Sequence, residues 1–163
     1  MRCSKHSLLS ILIGFVMAVS FSPGIVSANG PTLVVAPDKA VLSPALINKP
    51  IEITGSGWRP NEPIVVNIKV PQSITMKGVA PGEDVGIATG TADDKGMLKA
   101  QVDAMTVLMT FFQVDWDNTK NMIDFSKAQP LPPGTYTLEA IGFDSERKAT
   151  ATLTLLPPPK KEK

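Results

Sequence analysis

Residues 51–70, IEITGSGWRPNEPIVVNIKV, constrain this chain more than any other stretch. Ile51 and Ile53 alternate with Glu52 and Thr54, the period of a strand with one buried face. Ile64, Val66, Ile68 and Val70 alternate with Val65, Asn67 and Lys69 as a second strand of the same kind. Between the two lie Gly55, Gly57, Pro60, Asn61 and Pro63. Gly takes positive φ freely and Pro holds φ at about −65°, so these residues make a corner. A strand, a sharp corner and a strand commit the chain to a β-fold.

The first 28 residues read as a signal peptide. Arg2 and Lys5 form a positive start, an apolar run extends over residues 8–19, and Val26-Ser27-Ala28 ends in small residues that a peptidase accepts. That run is shorter than the roughly 20 apolar residues that span a bilayer, so no membrane span is expected once it is cleaved. Residues 29–156 then fit one domain, and residues 157–163 form a Pro/Lys-rich tail. The expected location is periplasmic or secreted.

Cleavage removes chemistry as well as length. Cys3 and His6 are the single cysteine and the single histidine, and both leave with the signal. What remains lacks the Ser–His and Cys–His nucleophilic pairs and the usual zinc ligands, and no disulfide staples the fold. Of 16 Lys and Arg, the loss of Arg2 and Lys5 leaves 14 against 15 acidic residues, with no basic surface for nucleic acid. No catalytic residue, cofactor or metal ligand is assigned.

Further strands follow from the same periods. Thr32–Ala36 places Leu33 and Val35 on one face, and a strand from Asp84 to Ala92 alternates Val85 and Ile87. Asp93-Asp94-Lys95-Gly96 is a hairpin turn, after which Leu98, Ala100 and Val102 point inward. Tyr136, Leu138 and Ala140 alternate with Thr137, Glu139 and Ile141, and Ala149, Ala151, Leu153 and Leu155 alternate with threonines. About seven short strands with turns between them predict an all-β antiparallel sandwich.

The pieces GSGWRPNEPIVVNI, ADDKGMLKA and PPGTYTLEAIGFDSERKATATLTL resemble bacterial immunoglobulin-like modules of extracytoplasmic proteins, including the IPT/TIG type. The resemblance implies an immunoglobulin-like β-sandwich used for protein–protein interaction, adhesion or spacing, without a family active site. Gly134-Thr135-Tyr136-Thr137-Leu138 is similar to a tyrosine corner, with Leu138 where many such domains carry cysteine. Trp58 sits at the corner rather than within the following strand, unlike the core Trp of antibody domains.

Several other features invite chemistry. Asp115, Asp117, Asn118, Asn121 and Asp124 suggest a calcium loop, but Lys120 and Ser126 stand where an EF-hand counted from Asp115 needs Gly and Glu. A solvated acidic turn, or capping by Asp117 or Asn118, is the better reading. No spacing singles out a carboxylate pair for glycoside hydrolysis. Trp58, Trp116 and the phenylalanines could stack on sugar rings; for Trp58, packing over the corner is the better reading.

Residues 104–129 are the least decided. Met105, Leu108, Met109, Phe112 and Trp116 fall at helical spacing, while Thr106, Val107, Thr110 and Val114 permit a strand. The run either covers one end of the core or forms an exposed binding surface, and a short helix fits the insert between the fifth and sixth strands. Alternation of strand direction brings residues 71–83 and 104–133 to one end. The compact turns at 55–61, 93–96 and 143–147 then share the other. Phe111, Phe112 and Trp116 are the expected anchors for an envelope or extracellular protein. A polysaccharide, held on exposed aromatics, is the alternative partner.

Overall fold

The computed structural model describes residues 30–159; the expected signal peptide over residues 1–28 and the last four residues of the tail lie outside them. Ten strands carry the fold: β1 (Thr32–Ala36), β2 (Lys39–Val41), β3 (Ile51–Ser56), β4 (Pro63–Lys69), β5 (Asp84–Thr91), β6 (Leu98–Val102), β7 (Asp115–Asp117), β8 (Met122–Asp124), β9 (Gly134–Gly142) and β10 (Lys148–Leu156). One sheet has the order β1-β3-β6, a second has the order β2-β10-β9-β4-β5, and β7 and β8 form a separate hairpin. Every pairing is antiparallel except that of β2 with β10.

The two large sheets hold eight strands, where about seven are expected from the sequence. The additional one is β2, too short to show a period among Pro37, Asp38 and Pro44. It forms because Asp38 O accepts from Thr154 N at 2.8 Å and Leu42 N donates to Leu156 O at 2.9 Å.

The inward faces of both sheets feed one hydrophobic core. Ile51 and Ile53 of β3, Ile64, Val66 and Ile68 of β4, and Leu138 of β9 are all 0 % exposed. Each such side chain contributes about 1.5–3 kcal/mol on leaving water, which is how the fold holds without a disulfide. Val66 pairs with Ala88 and Asn67 with Gly86, so Ile87 is an extra residue in β5 and the strand bulges there.

The corner after β3 closes as its residues predict. A Cβ on Gly55 would come within 2.4 Å of Thr32 O and 3.0 Å of the Trp58 indole nitrogen. With only hydrogen there, Trp58 folds into the core, 4 % exposed, and its amide donates to Gly96 O at 3.2 Å. Trp58 is thereby closed to sugar stacking. Arg147 Nη1 donates to Gly57 O at 2.9 Å, so the three compact turns do meet at one end. Among the described residues, no helix is long and apolar enough to cross a membrane.

Candidate functional site

The other end of the sheets carries the long connections. After β6, Asp103 Oδ1 accepts from Thr106 N at 2.7 Å and starts a short helix, α1 (Ala104–Thr106). It widens into a π-turn over Val107–Phe111. This resolves the insert as helical over its first part and as a β-hairpin, β7–β8, over its second.

Residues four apart share one side of such a turn. Val107 and Phe111 face the core at 1 % and 0 % exposed, while Met105 and Met109 face out at 52 % and 48 %. The run thus covers the core with one side and presents an apolar surface with the other. Phe111 does not suit the surface role expected of it. The helical turn aims it inward among the core side chains, and its carbonyl accepts from Leu131 N at 2.8 Å. Phe112 is half-buried against the same core. Of the three expected anchors only Trp116, 47 % exposed, stands at the surface.

Gln113 joins the two inserts. It follows the π-turn at φ +47°, a left-handed conformation uncommon for a non-glycine residue, and is 5 % exposed. Its Oε1 accepts from Lys77 N at 2.7 Å and its Nε2 donates to Gln129 O at 2.7 Å. Lys77 also pairs with the Asp115 carboxylate. Residues 71–83 and 104–129 therefore meet, as strand alternation predicts. The sequence signal for Gln113 is a lone polar residue between Phe112 and Val114 in an apolar run.

The acidic residues of this insert are occupied by local contacts. Asp117 Oδ1 accepts from Thr119 N at 2.9 Å and Lys120 N at 3.2 Å, and Lys120 Nζ lies 3.4 Å from Oδ2. The amides of Lys120 and Thr119 hold Asp117 below the ordinary carboxylate value. Asp124 caps the turn after β8 through Ser126, whose hydroxyl and amide hold it low as well, and Lys127 Nζ lies 3.6 Å away. Among the described residues, no three His, Cys, Asp or Glu side chains group closely enough to hold a metal ion.

Across the hairpin Trp116 pairs with Ile123, and Met122 and Phe125 are exposed at 54 % and 58 %. Met122 gives no sequence signal, and Phe125 none beyond its aromatic ring, because the period that reveals an apolar side breaks down in a hairpin of three-residue strands.

No family model matches the chain, and no curated protein matches its sequence. Among solved structures, the chain is similar to a bacterial immunoglobulin-like domain from the M. primoryensis ice-binding adhesin, at 11 % identity and a TM-score of 0.37, covering 80 % of this chain and 97 % of that one. It is similar to BslA, a bacterial hydrophobin, at 12 % identity and a TM-score of 0.36, covering 81 % and 98 %. It is also similar to the β-glucosidase DesR from Streptomyces venezuelae, at 13 % identity and a TM-score of 0.38, covering 77 % of this chain and only 14 % of the enzyme. Likenesses this remote carry no argument about activity.

Proposed function

We propose that this chain is an exported, non-catalytic immunoglobulin-like module that binds another protein at the bacterial cell envelope through residues 104–129. One observation carries the reading. Of ten large hydrophobic side chains exposed among the described residues, five belong to this insert: Met105, Met109, Trp116, Met122 and Phe125. Exposed apolar groups concentrated on one segment are the mark of an interaction surface. Three of the five are methionines, whose flexible thioethers adapt to another protein's side chains. Lys77, Lys120 and Lys127 are paired with Asp115, Asp117 and Asp124, so the contact is apolar rather than electrostatic. Export rests on residues 1–28, and the absence of catalysis on the loss of His6 and Cys3 with them.

Excising residues 104–129 is a poor test, because Val107 and Phe111 belong to the core. Surface variants are better. Crosslinking in the native envelope should capture a protein with the wild-type chain and lose it with Met105→Ser/Met109→Ser. Carbohydrate binding is the second reading, favoured by the exposed Trp116. In that case Trp116→Ala alone abolishes retention on envelope polysaccharide, and the methionine variant keeps it. If neither variant changes what is bound, the insert is not the binding surface.

A further inference from the structure

A groove of about 400 Å³ lies on another side of the molecule, between β2 and the 3₁₀ turn Pro44–Asn48. It falls in the range of about 300–1,000 Å³ typical of small-ligand sites. Val41, Ala45 and Leu46 supply apolar walls, and Pro159 of the tail closes one side. A groove of about 410 Å³ between β5 and β6 is lined instead by polar groups, among them Gln101, Asp103 and Thr106.

Charge distinguishes this groove from those lined by Asp103, by Glu52, and by Asp117 and Asp124. Lys69, Lys77, Lys120, Lys127 and Lys148 all stand in ion pairs with carboxylates. Among the described residues, Lys39, Lys49, Lys95 and Lys99 stand in none; Lys39 and Lys49 both line the β2 groove, whereas Lys99 shares a groove with Glu52. Among the described residues, no Asp or Glu lines it. An apolar trough carrying two lysines complements a molecule with an apolar body and one negative end.

We propose that this groove binds an anionic single-chain amphiphile, its carboxylate held by Lys39 and Lys49 and its alkyl chain lying along Val41, Ala45 and Leu46. An added peptide strand fits less well. The outer edge of β2 is three residues long and carries Lys39, two of the features by which proteins blunt an edge against strand addition. This inference is independent of the partner surface on residues 104–129.

The test titrates the purified full chain with laurate below its micelle concentration, following backbone amides by NMR. Dodecanol, dodecyltrimethylammonium and an acidic peptide are run alongside. Laurate should shift the amides of Val41, Ala45 and Leu46 and bind about tenfold more tightly than dodecanol, with the cationic analogue weaker still. Raising the salt concentration should weaken laurate and leave dodecanol unchanged. Lys39→Glu/Lys49→Glu, at two exposed positions, should cost laurate about tenfold with no loss of folded dispersion. Ala45→Trp should exclude all alkyl probes by filling the trough. The proposal is overturned if laurate does not bind, or if all three alkyl probes bind alike. It is also overturned if shifts centre on Met105 and Met109, or if the acidic peptide binds this groove and laurate does not.

Discussion

Gln113 and Lys77, 36 residues apart in sequence, are joined by a 2.7 Å hydrogen bond from the Lys77 amide to Gln113 Oε1. The same side chain reaches Gln129 O, so one buried amide ties the connection after β4 to both limbs of the insert after β6. A buried polar network of this kind sets a unique geometry when every member is paired. It gives the proposed partner surface a fixed base.

Gln113→Ala strands the Lys77 amide and the Gln129 carbonyl in a part-buried site. The expected loss is about 1–3 kcal/mol in urea unfolding, with faster hydrogen exchange at the Lys77 amide. Unchanged exchange at Lys77 would show that the bond is not formed in solution.

Phe111 and Trp116 should behave as opposites. Phe111→Ala opens a cavity where 0 % of the side chain is exposed, at a cost of about 3–5 kcal/mol. Trp116→Ala should stay within about 0.5 kcal/mol of wild type. Thermal unfolding of the two variants checks this. Equal destabilisation would mean that Trp116 is packed and the surface reading of the insert fails.

Tyr136 Oη donates to Pro132 O at 2.7 Å, four residues upstream, as the resemblance to a tyrosine corner implies. Tyr136→Phe should cost about 0.5–1.5 kcal/mol. Burial pushes the hydroxyl above its ordinary value, so the folded state favours the protonated form. That stability is present below the unfolded phenol's pKa of about 10 and is lost as pH rises through the folded value. Alkaline unfolding curves of wild type and Tyr136→Phe should converge above that point.

Glu62 is 1 % exposed, with Oε1 accepting from Arg59 N at 2.7 Å and from Ser145 Oγ at 3.0 Å, and Oε2 accepting from Ser145 N at 3.1 Å. Gly142 leaves the space: a Cβ there would come within 2.7 Å of Oε2. Burial raises the Glu62 pKa, but the bonds from Arg59 and Ser145, with the Arg59 charge, outweigh it and hold the carboxyl below its ordinary value. The stabilisation is therefore present above the unfolded carboxylate's pKa of about 4.3 and is lost as pH falls through the lower folded value. Glu62→Gln should flatten the acid limb of a stability–pH profile. An unaltered limb would place the acid sensitivity elsewhere.

The strands were legible because their cause is local and periodic. Ile51 and Ile53, Ile64, Val66 and Ile68, and Leu153 and Leu155 recur every second residue, and one-sided burial needs no more than that. Strand alternation likewise sufficed to bring residues 71–83 and 104–133 to one end, since each antiparallel return reverses direction. Three matters waited for tertiary structure. β2 exists only because β10 offers it a partner, which three residues between prolines cannot announce. Glu62 carries no signal in the sequence, because its burial depends on Ser145, 83 positions away, arriving to bond it. In residues 104–114, apolar on every side, the direction of the core alone sent Phe111 inward and Met105 and Met109 outward.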